Sequence, residues 1–159
     1  MEVPKRKPNR LPGYDYSQPG GYFVTICTKG REELLGTVVG ADVLIGPRVA
    51  LTELGERVRS ILDNMTSVDK YVVMPNHVHM IVRLPGEDGA MRTSPPTRLP
   101  AIVRYFKRNI TQAVGVNVWQ KGYHDHIIRN EADYLRIWQY IDTNPAKWRE
   151  DCYYTEVEC

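Results

Sequence analysis

The stretch "KYVVMPNHVHMIVRLP", residues 70–85, constrains this chain more than any other. Two β-branched and apolar runs are separated by little more than Pro75-Asn76, which predicts two antiparallel strands joined as a hairpin. Because side chains alternate along a strand, His77 and His79 then share one face at the start of the second arm, while Val78 and Met80 point the other way. Paired histidines on a strand can be ordinary surface or backbone-satisfied residues. Two adjacent imidazoles on an otherwise apolar strand also suit a divalent cation.

The rest of the chain supplies elements to surround that hairpin. "GYFVTICTKG" reads as a first strand, and "LLGTVVGADVLIG" as a second, interrupted by Gly40. Leu51, Leu54, Val58, Ile61 and Met65 recur at helical spacing, predicting an amphipathic helix over residues 48–65. "PGEDGAMRTSPPT" is a loop by its Pro and Gly content. In "LPAIVRYFKRNITQAVG" the residues Ile102, Val103, Phe106, Ile110 and Ala113 form an apolar face opposite Arg104, Lys107, Arg108 and Thr111, with Pro100 in the first turn. "VWQKGYHDHIIRN" is a short irregular or extended connector, and "EADYLRIWQYIDTNP" a final helix stopped by Pro145. On its wheel Asp133, Arg136, Tyr140 and Asn144 fall within an arc of about 80°, with Tyr134, Leu135, Trp138 and Ile141 predicted to pack on the other side.

Mixed strands and helices around an antiparallel hairpin indicate an α+β sandwich close to a ferredoxin-like layout, with helices packed on one face of an antiparallel sheet. A length of 159 residues with 42% apolar and 25% charged residues fits one ordinary globular domain. We divide the chain into a basic Pro/Gly-rich arm over 1–20, a domain over 21–150 and an acidic tail over 151–159. No apolar run reaches membrane-spanning length, so no membrane partner is expected and a cytoplasmic location is. Cys27, Cys152 and Cys159 form no CxxC pair, which argues for reduced thiols and against structural zinc.

Net charge is only +2, but its distribution is uneven. Basic residues concentrate in "KRKPNR" and in the acid-free run 92–108, whereas acids collect in "REDCYYTEVEC". A one-sided phosphate-binding surface has this character, as does a simple solvated face. No GxxxxGK[ST] or GxGxxG nucleotide motif is present. A tyrosine can attack a phosphodiester where a metal polarises the phosphate, and Tyr140 and Asn144, one turn apart, suit nucleophile and third ligand.

These residues resemble the HUH single-strand DNA endonucleases, and within them the tyrosine transposases of small insertion sequences and their REP-associated relatives. The signature of two histidines flanking one hydrophobic residue is His77-Val78-His79 in "MPNHVHMIV". "RLPGYDYSQPGGYFVTICT" is similar to the family's opening, "WQKGYHDHIIRN" to its connector and "YLRIWQYIDTNP" to its catalytic helix. The resemblance implies a ferredoxin-like fold, a Mg²⁺ or Mn²⁺ ion held by the histidine pair, and a catalytic tyrosine that leaves a 5′-phosphotyrosine and a free 3′-hydroxyl. Residue by residue, Tyr140 matches the nucleophile and Asn144 the third ligand, where insertion-sequence relatives commonly carry glutamine.

The expected partner is single-stranded or hairpin DNA, and the expected assembly a monomer or homodimer. Candidate DNA contacts are Lys5, Arg6, Lys7, Arg10, Arg104, Lys107, Arg108, Arg129 and Arg136. Arg129 can alternatively pair with Glu131 or Asp133. A second histidine pair, His124 and His126 around Asp125, offers auxiliary proton transfer or substrate positioning. Two rival readings stay open: a non-catalytic DNA-hairpin-binding protein on the same fold, and a metal-dependent hydrolase whose nucleophile is water.

Overall fold

The computed structural model describes residues 13–16, 18–40, 46–85 and 98–153. Strand β1 spans Gly20–Cys27. A small antiparallel pair follows, β2 Gly36–Val39 and β3 Arg48–Leu51. Helix α1 (Glu53–Asn64) leads to the hairpin β4 (Val68–Met74) and β5 (His77–Leu84). Then come α2 (Leu99–Val114), β6 (His124–Ile128) and α3 (Glu131–Thr143).

The main sheet runs β4-β5-β1-β6 with every neighbouring pair antiparallel. Counting only these strands with α1 and α2, the order is that of a ferredoxin-like sandwich, with β2 and β3 as an insertion. The expected α+β architecture is the one observed. Among the described residues no helix is long and apolar enough to cross a membrane.

Strand periodicity sorts the two faces. Tyr22, Val24 and Ile26 of β1 and Val78, Met80 and Val82 of β5 point into the main core, where they meet Val58 and Leu62 of α1 and Ile102, Val103, Phe106 and Ile110 of α2. Tyr16 and Tyr14, expected in a separate arm, pack into the same core beside Tyr22. The alternate residues face the other way: Phe23 on β1, Ile81 on β5 and Val72 on β4 form a second, smaller cluster with Ile137 and Ile141. Helices α1 and α2 cover one face as expected, whereas α3 lies on the opposite one, over the histidines, so the helices are not confined to a single face.

Three local expectations are corrected. The helix expected over 48–65 begins only at Glu53, because Arg48–Leu51 pairs with Gly36–Val39 and Thr52 caps the helix, its hydroxyl accepting from the Gly55 N–H at 3.2 Å. On α2, Ala113 is exposed. On α3, Leu135 and Trp138 are 56% and 41% exposed, and the packing stripe is Tyr134, Ile137 and Ile141. Trp138 instead lies under the Lys70 ammonium, 3.4 Å from its ring centre.

Gly55 marks the closest approach of α1 to the rest of the fold. A β-carbon there would stand 2.0 Å from the Leu35 carbonyl oxygen, which already accepts from the Thr52 N–H at 3.0 Å. Backbone cannot yield as a side-chain tip can. Gly55→Ala is expected to lower the unfolding free energy toward the upper end of a ~1–3 kcal/mol overpacking cost, exceeding the ~1 kcal/mol of helix propensity gained. Urea unfolding monitored by circular dichroism checks this; an unchanged or raised midpoint contradicts it.

Candidate active site

Both hairpin histidines are buried in the face under α3. Their Nε2 atoms are 3.0 Å apart. The far nitrogen of each ring is held by a different neighbour. His77 Nδ1 meets Asn76 Oδ1 at 2.8 Å, and His79 Nδ1 meets Thr25 Oγ1 at 2.8 Å, Thr25 being the residue opposite His79 on β1.

The hydrogen-bond pattern fixes which nitrogen of His77 is free. Asn76 donates through Nδ2 to the carbonyls of Arg31 (3.2 Å) and Tyr153 (2.7 Å), so its Oδ1 faces the ring. An amide oxygen only accepts, so His77 Nδ1 carries the proton and Nε2 presents a lone pair. His79 has more latitude, because the Thr25 hydroxyl can donate to Nδ1 or accept from it. In the first case His79 Nε2–H donates to His77; in the second both Nε2 lone pairs are available to a ligand.

Burial keeps the pair neutral. It pulls His77 down from the ordinary 6.5 to about 2, with His79 adding to the effect and Asn144 opposing it. It pulls His79 down to about 3. Neutral imidazoles are the form that binds metals.

Tyr140, Asn144 and the segment after α3 complete the site. The Tyr140 ring centre is 5.3 Å from that of His79 and 6.0 Å from that of Phe23, with 40% of the residue exposed. Its phenol is raised above 10 by burial and then by Asp151, while Asn144 works in the opposite direction. Asn144 caps the end of α3 and is buried, with its Oδ1 lacking a hydrogen-bond partner. Within the 3₁₀ turn Pro145–Glu150, Trp148 stacks on His77 at 5.9 Å, and beyond the turn Tyr153 lies 4.5 Å from the same ring. The residues expected to form an acidic tail therefore begin by packing against the histidines. The Asp151 carboxylate belongs to this group: His77, His79 and Asp151 offer ligand atoms within 4.8 Å of one another.

The second histidine pair lies on the same face. His124 is opposite Thr25 and His126 opposite Phe23, so all four histidines of the chain line one side of one sheet. Of the irregular or extended alternatives for this connector, the extended one holds for "HDHII", which forms an edge strand. His126 Nε2 bonds Asp133 Oδ2 at 2.8 Å, and Arg136 donates to the other oxygen of Asp133 at 2.5 Å. Asp125, alternating with its neighbours, belongs to the opposite face.

The candidate DNA contacts are dispersed. Arg129 is exposed just beyond β6, and Arg136 is occupied by Asp133. Arg104 and Arg108 are exposed on α2, across the sheet from Tyr140. Lys107 is turned toward its own chain, donating to the carbonyls of Gln120 (2.9 Å) and Gly122 (2.6 Å). Lys5, Arg6, Lys7 and Arg10 lie outside the described residues.

Sequence reasoning missed Asn76, Thr25, Asp151 and Tyr153. Asn76 had a signal, an amide directly before the first histidine in a turn. Thr25 needed the strand register, and Asp151 and Tyr153 needed the path of the chain after α3.

No family model matches the chain. An uncharacterised protein of Haemophilus influenzae is 34% identical over 175 residues, covering 95% of this chain and 94% of that protein. A REP-associated tyrosine transposase of Escherichia coli K12 is 34% identical over 86 residues, covering 54% of this chain. The match spans 47% of that named relative, about half its length. Among solved structures, a REP-associated tyrosine transposase bound to a REP hairpin superposes with a TM-score of 0.56 at 25% identity, covering 87% of this chain and 73% of the other. In its motifs, its fold and these matches, the chain is similar to the REP-associated tyrosine transposases.

Proposed function

We propose that this protein is a metal-dependent single-strand DNA nickase and strand transferase that acts on hairpin-bearing DNA through a 5′-phosphotyrosine intermediate. The observation that carries this reading is Tyr140 standing over the buried, neutral His77–His79 pair. The donor set fits a divalent cation. Two imidazole nitrogens converge, and two buried oxygens beside them, on Asn144 and Asp151, have no hydrogen-bond partner. His77 and His79 would hold the ion, with oxygen ligation from this group. When bound, such an ion supplies Lewis-acid polarisation of a phosphoryl oxygen.

The chain's own groups account for the rest. Asn76 and Thr25 hold the imidazoles in orientation from behind. Tyr140 attacks phosphorus through its phenolic oxygen. A tyrosine–phosphate bond forms, the bond to the 3′-oxygen breaks, the phenol loses its proton and the departing oxygen gains one. Burial and Asp151 raise the phenol's pKa in the metal-free protein, and attack requires its proton to leave. The ester retains the energy of the cleaved linkage, and reversal onto another 3′-hydroxyl reseals DNA without a nucleotide cofactor. The hairpin preference rests on the family and on the solved relative that holds a REP hairpin. Arg104, Arg108, Arg129 and the N-terminal basic residues are proposed phosphate contacts.

Incubation with labelled single-stranded hairpin DNA and Mn²⁺ or Mg²⁺ tests the chemistry. A protein–DNA adduct stable on a denaturing gel is expected from wild type, and none from Tyr140→Phe or from His77→Ala. Metal-dependent cleavage without any adduct would instead indicate a water nucleophile. Tight hairpin binding with neither cleavage nor adduct, across varied hairpins, would leave a DNA-binding role.

Asn76→Ala removes the partner that sets the His77 tautomer. Cleavage is expected to fall about 10–100-fold, and wild-type rates would show that the tautomer is fixed by other means.

The neutral histidines also have a stability signature in the metal-free protein. Their pKa values are about 6.5 unfolded and about 2 and 3 folded, so the unfolded chain binds more protons between those limits. Stability is therefore full above about pH 6.5 and is lost as pH falls, by up to about 1.4 kcal/mol per pH unit for each histidine. Urea midpoints in EDTA should drop between pH 7 and pH 5, and His79→Gln should flatten that slope. A slope unchanged in the variant would contradict the assignment.

A further inference from the structure

The Asp151 carboxylate is the buried group least accounted for by folding alone. Its side chain is only 2% exposed. One oxygen, Oδ1, accepts from the Tyr153 N–H at 3.0 Å. The other, Oδ2, is buried without a hydrogen bond and faces His77 Nε2 at 3.7 Å. No hydrogen bond joins them at that distance, and with Asn76 Oδ1 on the Nδ1 side His77 turns its Nε2 lone pair toward this oxygen.

A buried carboxylate oxygen that no hydrogen-bond donor reaches is costly unless a cation is present. The spacing suits one. Two atoms each about 2.1 Å from a common ion lie about 3–4 Å apart, which covers both the 3.0 Å between the Nε2 atoms and the 3.7 Å from His77 Nε2 to Asp151 Oδ2. Asn144 Oδ1 is also buried and bare, but an amide oxygen carries no formal charge. Hard divalent cations favour carboxylates, and a charged ligand balances part of the ion's charge within a site from which water is largely removed.

We propose that Asp151, not Asn144, is the principal oxygen ligand completing the His77–His79 cation site. This rests on the reading of the histidine pair as an ion site. Asp151 is supplied from beyond the catalytic helix, by a segment fastened through Asn76 to the same hairpin turn that orients His77. Nucleophile and charged ligand thereby sit on separate pieces of chain. A charge placed this way predicts opposite effects of Asp151→Asn with and without metal, which a merely structural residue would not produce.

The test uses the full chain stripped with EDTA and titrated with Mn²⁺, with affinity read from the electron paramagnetic resonance of free Mn²⁺ and, independently, from the metal-induced rise in Tm. Asp151→Asn is expected to weaken Mn²⁺ binding at least about tenfold and to shrink the rise in Tm, while melting in EDTA at or above the wild-type temperature. Asn144→Ala is expected to bind Mn²⁺ more tightly than Asp151→Asn does. Wild-type affinity in Asp151→Asn, with binding abolished in His77→Ala, would overturn the ligand assignment and leave the histidine site standing. Asp151→Asn melting below wild type in EDTA would overturn the proposal by showing a structural role. A wild-type protein that binds no Mn²⁺ would remove the ion site and the proposal together.

Discussion

The arrangement of the site depends on the hydrogen bond between Asn76 and His77. Two imidazoles buried side by side need partners for their polar nitrogens, or their desolvation goes uncompensated. Asn76 meets that need from within the two-residue connection that also sets the β4–β5 register, pairing Met74 with His77. One residue therefore closes the hairpin, fixes a tautomer and, through Nδ2, ties down the chain near its far end. A one-residue slip of β5 would turn both histidines into the core and bring Val78 and Met80 onto the working face.

The two faces of the sheet have different tasks, visible in how each is covered. The core under α1 and α2 is large and joins most of the elements, whereas the cluster under α3 has only Ile81, Ile137 and Ile141 fully buried. Polar contacts supplement it. Tyr134 donates to Asp69 at 2.6 Å, Lys70 bonds Asp142 at 3.2 Å, and His126 bonds Asp133 at 2.8 Å. The helix carrying Tyr140 is thus positioned by a short apolar stripe with polar contacts along its length. The larger apolar core lies on the side away from the histidines, and this leaves the other side free to bury polar groups.

What the sequence disclosed, and what it withheld, follows the range of the interactions involved. The hairpin, the shared face of His77 and His79, and the long helix with Pro100 in its first turn depend on neighbours a few residues apart, and each is found where expected. Leu51 fitted both a helical and an extended period, and only pairing with Gly36 across the β2–β3 sheet decided between them. On α3, apolar residues at 134, 135, 137, 138 and 141 surround too much of the wheel to name a buried side. The choice was made by the sheet, whose Phe23, Val72 and Ile81 receive Ile137 and Ile141. Lys107 reads as one more charge on a basic face, yet its ammonium holds the loop before β6. Asp151 and Tyr153 reach the site through a turn that no local pattern announces.

Charge balance at the site supports the functional reading independently of any motif. A phosphodiester brought beneath Tyr140 adds a negative charge beside a buried carboxylate, two neutral imidazoles and a protonated phenol. The exposed arginines of α2 are on the far side of the sheet, and Arg136 is already engaged by Asp133. Attraction for DNA as a whole can come from such distant cations, because long-range steering needs only net potential. Holding one phosphate against its neighbours in a low-dielectric pocket requires a compensating charge within a few ångströms. A divalent ion at the histidine pair would compensate both the carboxylate and the phosphate. Uncharged histidines fit that proposal, since protonated imidazoles would attract the phosphate themselves but exclude the ion.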